Sequence, residues 1–186
     1  MRRAALILLA SLGAVSLIAC GPSQSSVDQP PKVPTQIPPF ASEDEALEAA
    51  ATTVTKFYDL GAVILAEGGV GGERLGEFAT PSVVAMETTG FDELREKQLI
   101  YRGQTVMRSV TLQSYLPDAV DGRGVITAYI CADGTGVTID YPNGESYVSP
   151  DRPDGVPFEI TFDMATRNPT TLVVSSKQFW EGEGVC

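Results

Sequence analysis

The hydrophobic period of the chain changes once, and that change sets its fold class. Between Ser42 and about Leu99 apolar residues recur at steps of three and four, and from Gly103 onward they recur at steps of two. The first spacing lines one face of a helix and the second lines one face of a strand. Helices first and strands after predict an α+β domain with its helices on one face of an antiparallel sheet.

Local signals divide this pattern into elements. Ser42 stands three residues before Glu45, which is capping-box spacing, and Glu43, Asp44 and Glu45 suit the positive end of a helix dipole. Ala46, Leu47, Ala50, Val54, Phe57, Tyr58, Gly61, Ile64 and Leu65 then predict an amphipathic helix of about five or six turns, ending at Gly68-Gly69. A glycine-rich bend, a short helix near Arg74 to Phe78, and a helix from Pro81 to about Leu99 with a break at Gly90 come next. In the second half, Val106, Arg108, Val110 and Leu112 alternate with Met107, Ser109 and Thr111. Val125 to Cys131 is a β-branched run of the sort found inside a sheet, and Val137 to Tyr141 leads into the turn Pro142-Asn143-Gly144. Phe158, Ile160, Phe162 and Met164 alternate with Glu159, Thr161 and Asp163. Thr171 to Trp180 is the last strand, with Leu172, Val174 and Trp180 expected on one side.

Ahead of this domain lies an address. Met1-Arg2-Arg3 is basic, and Ala4 to Ala19 is a run of 16 residues without a charge. That is short of the ~20 residues a spanning helix needs, and it has the proportions of a secretory signal. The run ends in Leu17-Ile18-Ala19-Cys20, which resembles the lipobox of bacterial lipoproteins, whose cysteine thiol takes a diacylglyceryl group before cleavage. The resemblance implies a signal peptide over residues 1–19 and lipid attachment at Cys20. It also implies a location on the extracytoplasmic face of the cell membrane. One acyl chain binds a bilayer only marginally, so a two-chain anchor is the durable form. Gly21 to Ala41 holds six prolines among small polar residues, so residues 20–41 read as a lipidated cysteine and an extended tether, with the domain at 42–186.

Composition narrows the chemistry. Removing residues 1–19 leaves 167 residues, with 11 basic against 24 acidic side chains, a balance of −13. Such a chain is a poor partner for nucleic acid and keeps clear of anionic head groups. It has no histidine, which excludes Ser-His-Asp and Cys-His catalysis and removes the commonest metal ligand. With Cys20 committed to lipid, Cys131 and Cys186 remain, and outside the cytoplasm such a pair oxidises to a disulfide.

A long first helix, two shorter ones, the approach Tyr101-Arg102-Gly103-Gln104 and a meander ending in Trp180 and Cys186 are similar to the nuclear transport factor 2-like fold. The likeness is to the secreted and lipoprotein members from high-GC Gram-positive bacteria, in which a cysteine followed by Asp ends a middle strand and a second cysteine closes the chain. Here those are Cys131-Ala132-Asp133 and Cys186; the Gly68 to Gly72 bend is longer than such domains usually need. The resemblance implies a curved sheet wrapped over the helices as a cone, which some relatives use as a ligand pocket and others for proton transfer with Asp, His or Tyr inside. Tyr58, Tyr101, Tyr115, Tyr129, Asp118 and Asp133 are the residues of those types in reach. Core-facing tyrosines more often serve packing with a hydrogen-bonded tip, so no catalytic residue is assigned.

Other motifs carry no chemistry. Gly68 to Gly72 follows a helix rather than a strand and lacks a Gly-Lys-Ser/Thr ending, so it is a bend and not a phosphate cradle. Asp133 to Asp140 lacks a side-chain oxygen at the fifth position of a calcium loop, Val137, and reads as a turn between strands. No cofactor and no metal are expected. The expected function is a membrane-anchored, non-enzymatic binding or scaffold module of the cell envelope, taking a small apolar ligand in the cone or an envelope protein on the sheet. The alternative is a dehydratase- or isomerase-type enzyme acting on a small apolar substrate, marked by an isolated, desolvated carboxylate beside a tyrosine. In a lipidating bacterial host, a Cys20→Ala variant should incorporate no palmitate label and leave the membrane fraction, and unchanged labelling would contradict the anchor.

Overall fold

A computed structural model describes residues 38–166 and 168–186, and the expected signal peptide, the expected lipid site Cys20 and the expected tether as far as residue 37 lie outside the described residues. Phe40, placed in the tether by sequence, is buried in the core. Its amide donates to the Tyr115 hydroxyl (3.1 Å), which in turn donates to the Phe40 carbonyl (2.8 Å). An aromatic anchor therefore stands just before the first helix.

Helix α1, Glu43–Ala66, is capped as its sequence predicts: the Glu45 amide donates to Ser42 Oγ at 3.2 Å. The Glu45 carboxylate closes the cap by accepting from the Ala41 amide at 2.7 Å. Ala46, Ala50, Val54 and Phe57 are buried along one face, and the small alanines let the helix lie close against the sheet. A 3-10 turn, Gly72–Glu77, leads to α2, Pro81–Glu96. The expected break at Gly90 does not occur; α2 runs straight through it. It stops short of Leu99, whose amide donates back to the Leu94 carbonyl (2.9 Å) across Gln98 at φ 53.

Strands β2 (Val106–Tyr115), β3 (Ile126–Asp133), β5 (Gly155–Ala165) and β6 (Asn168–Phe179) form an antiparallel sheet in the order β2-β3-β5-β6. Strands β1 (Ile100–Arg102) and β4 (Thr138–Asp140) pair as a separate antiparallel ribbon. Gly103, at φ +92, lets the chain leave β1, since a Cβ there would stand 1.9 Å from the Gly136 carbonyl oxygen. Ile126, Ala128 and Ile130 of β3, Ile160 and Phe162 of β5, and Leu172 and Val174 of β6 meet the helices in one core. This is the expected α+β architecture, helices on one face of an antiparallel sheet.

Bulges correct two expected faces. In β2 the register slips between Met107 and Ser109 and again between Leu112 and Ser114. Met107, Val110, Leu112 and Tyr115 consequently turn inward, while Val106 is 59% exposed. In β6, Val174 pairs with Phe162 and Ser176 with Thr161, leaving Ser175 unpaired as an extra residue. One inserted residue swaps the faces of everything beyond it. Lys177 thus pairs with Ile160 on the inner face, and Trp180 lies against Tyr129 at 4.5 Å between ring centroids instead of sharing a side with Leu172 and Val174.

The Cys131–Cys186 disulfide is present, with 5.2 Å between Cα atoms. It ties the chain end to β3, and Ser109 Oγ donates to the Val185 carbonyl at 3.2 Å beside it. Gly155 makes room for it: a Cβ there would lie 2.9 and 3.1 Å from the two sulfurs. Closing a loop across 55 positions contributes about 4 kcal/mol by restricting the unfolded chain.

A candidate ligand pocket between the helices and the ribbon

Past Phe57, α1 runs beyond the tightly packed part of the sheet and faces α2 and the ribbon. Phe57, Tyr58, Gly61 and Leu65 of α1, Glu87 and Phe91 of α2, and Tyr101 and Ile139 of the ribbon line a half-open cavity of about 250 Å³. A second cavity of about 250 Å³ adjoins it, sharing Leu65, Glu87, Phe91 and Ile139 and reaching Gly90, Leu94 and Tyr147. Two glycines border this space. Gly61 and Gly90 sit inside helices, where glycine costs about 1 kcal/mol relative to alanine. A Cβ at either would meet nothing within 4 Å, so close packing does not require glycine there. Gly69 shows the contrast: a Cβ there would stand 2.5 Å from the Phe91 carbonyl oxygen, so that glycine is what lets the bend touch α2.

The polar groups of the cavity are few. The Tyr58 hydroxyl is buried and has no hydrogen-bond partner among the described residues. Burial, and then the negative charge of Glu87, push its pKa above the ordinary tyrosine value, so it stays a neutral phenol. Burial likewise raises Tyr101, partly offset by a hydrogen bond with Thr105. Glu87 accepts from Lys177 Nζ at 2.5 Å, with the two side chains 21% and 15% exposed. The same ammonium lies 5.2 Å from the Tyr58 ring centre, 5.3 Å from Phe158 and 5.7 Å from Phe57, a cation–π setting. Glu87 is therefore a paired carboxylate and not the isolated base that a proton-transfer site calls for.

Of the residues singled out by sequence, Tyr58 and Tyr101 line the cavity. Tyr115 fastens Phe40, Tyr129 packs beneath Trp180 on the outer face, and Asp118 is exposed on a loop. Asp133 caps the turn after β3: its Oδ1 accepts from the Thr135 amide (2.8 Å) and hydroxyl (2.7 Å), and its Oδ2 from Arg108 Nε (2.7 Å). Glu87 and Lys177 were not singled out. Glu87 had a signal, since it falls on the apolar stripe Val83, Phe91, Leu94 at helical steps. Lys177 had none, because its face depends on the bulge at Ser175. Among the described residues no cluster of three or more His, Cys, Asp or Glu could hold a metal ion.

No protein-family model matches the chain, and no curated protein matches it in sequence. A crystal structure of the intermembrane space region of the chloroplast protein ARC6 is similar in fold, at TM-score 0.50 and 12% identity, over 72% of this chain and 95% of that one. A solution structure of a de novo β-sheet design protein also aligns, at TM-score 0.34 and 12% identity, over 76% of this chain and 92% of the design.

The hydrogen bonds from Thr135, and then Arg108, hold the Asp133 carboxyl down to about 2, against about 3.9 for a free aspartate. A lowered folded-state pKa means that the stabilisation is complete above about pH 4 and disappears as pH falls towards 2. In thermal melts, Asp133→Asn should be the less stable protein at pH 7, and the gap should close between pH 4 and 2. A gap independent of pH would contradict this role.

Proposed function

We propose that the chain is a lipoprotein of the bacterial cell envelope, held by lipid on Cys20 at the extracytoplasmic face of the membrane, and that its domain is a non-enzymatic small-molecule binding module. The lipobox-like Leu17-Ile18-Ala19-Cys20 and the proline-rich stretch after it support the anchor. A disulfide between Cys131 and Cys186 fits an oxidising compartment. We read the domain as a nuclear transport factor 2-like cone, in keeping with helices laid on an antiparallel sheet and a cavity at the end of that layer.

The observation that carries the binding role is the pair of helix-interior glycines. Gly61 and Gly90 weaken two helices, no neighbour needs them small, and both border the apolar cavities. Sites that break a local rule without a packing reason are where function is expected. The pairing of Glu87 with Lys177 speaks for binding over acid–base chemistry.

Gly61→Leu should fill the first cavity, raise stability by about 1 kcal/mol through better helix propensity, and weaken binding of an uncharged naphthalene probe at least tenfold. Calorimetric titration and urea unfolding measure both effects. Probe binding unaffected by the leucine would contradict the site.

A further inference from the structure

We propose that Asn143 is a site of spontaneous covalent modification, in which the Gly144 backbone nitrogen of the folded protein attacks the Asn143 side-chain amide and the turn passes through a succinimide to aspartate and isoaspartate; this goes beyond the binding role and does not depend on it. The chain offers one place for this chemistry. Its two asparagines are Asn143, followed by glycine, and Asn168, followed by proline. Proline has no N–H to give up, so Asn168 cannot close the ring. At Gly144 no side chain shields the nitrogen, and a Cβ there would meet nothing within 4 Å. Asn143, Gly144 and Glu145 are all exposed.

The turn favours the attack. Asn143 Oδ1 accepts from the Glu145 amide at 3.0 Å, so the side chain folds back along the peptide that carries the Gly144 nitrogen. The same N–H polarises the Cγ carbonyl and stabilises the oxyanion that forms as nitrogen adds to Cγ. Gly144, at φ +85, donates its own amide to the Tyr141 carbonyl at 2.9 Å. That hydrogen bond opens before the nitrogen reacts, and in an exposed turn the opening is local, not global.

The bonds balance with water as the one co-reactant. The Gly144 nitrogen loses its proton and bonds to Asn143 Cγ, the Cγ–NH2 bond breaks, and ammonia leaves. Water then opens the imide at either carbonyl. One opening gives aspartate, and the other gives isoaspartate, with the main chain routed through the side-chain carbon. Isoaspartate adds a main-chain atom to a hairpin held by the Tyr141 amide on the Glu145 carbonyl and the Tyr147 amide on the Ile139 carbonyl, both at 2.8 Å. The hairpin carries Tyr147, whose hydroxyl donates to Glu93 at 2.7 Å, so the isoaspartyl form loosens Tyr147 beside the second cavity.

The test uses the full chain purified from a lipidating bacterial host, its Asn143→Gln variant, and a free peptide of residues 138–148, all held in warm, mildly alkaline buffer. Peptide mapping by mass spectrometry should find the mass gain of NH2 exchanged for OH at residue 143, growing with first-order kinetics and with isoaspartate the larger product. Its rate in the folded protein should lie within about tenfold of the free peptide, as a local opening allows. Asp121-Gly122, Asp133-Gly134 and Asp154-Gly155 can isomerise too, but without a change of mass, so the gain marks Asn143. Asn143→Gln, whose ring would be one atom larger, should show no gain at that residue. In the isoaspartyl fraction the Tyr147 amide should exchange its hydrogen at least about tenfold faster than in fresh protein, with Ile130 in the sheet core unchanged. Conversion in the folded protein more than about a hundredfold slower than in the peptide, or seen only once urea unfolds the chain, overturns the proposal. Tyr147 exchange equal to that of fresh protein overturns the loosening of the hairpin.

Discussion

Helix α1 has to do two things along one face, and the structure is arranged around the difference. Its first half presents Ala46, Ala50 and Val54, all fully buried, and lies tightly on the sheet. Its second half passes the ribbon, where Tyr58, Gly61 and Leu65 leave a gap. A helix of 24 residues is about 36 Å long, and its far end has a partner besides the sheet. The β1–β4 ribbon and α2 supply it, through a second small core of Leu94, Leu99, Tyr101 and Val137. The cavities lie where the two cores adjoin.

The Glu87–Lys177 pair joins those parts. It links α2 to β6 across the inner face, and its ammonium rests on the rings of Tyr58, Phe57 and Phe158. A lysine could not reach this place without the bulge at Ser175, which sets Lys177 opposite Ile160. A half-buried ion pair of this kind is weak support for stability, but breaking it by removing one partner is costly. Its clearest consequence is chemical: it occupies the carboxylate that a proton-transfer site would have needed free.

Most of the architecture could be read from the chain because long periodic segments announce themselves. The capped start of α1, the proline start of α2, the alternation in β5 and the Cys131–Cys186 bridge all follow from residues a few places apart or from simple accounting. Features that depend on registration were out of reach. Arg108, Gln113 and Ser175 carry no mark that they are the extra residues of bulges, and Ile100–Arg102 is too short to display a period. The pocket was half legible. Tyr58 and Tyr101 stand out in the sequence as chemical types, whereas Gly61 falls among apolar positions and Gly90 has the mark of a helix break. What those glycines leave open appears only when α1, α2 and the ribbon are brought together.

The proposed binding role requires that space to admit an apolar guest. Xenon tests this with no chemistry of its own, since it has no charge, no donor and no acceptor. Methyl NMR of the protein under xenon pressure should show saturable shifts at Leu65 and Ile139, which border both cavities, while Ile126 and Leu172 in the sheet core stay still. Leu65 and Ile139 signals that do not respond, or that move no more than those of the sheet core, would contradict it.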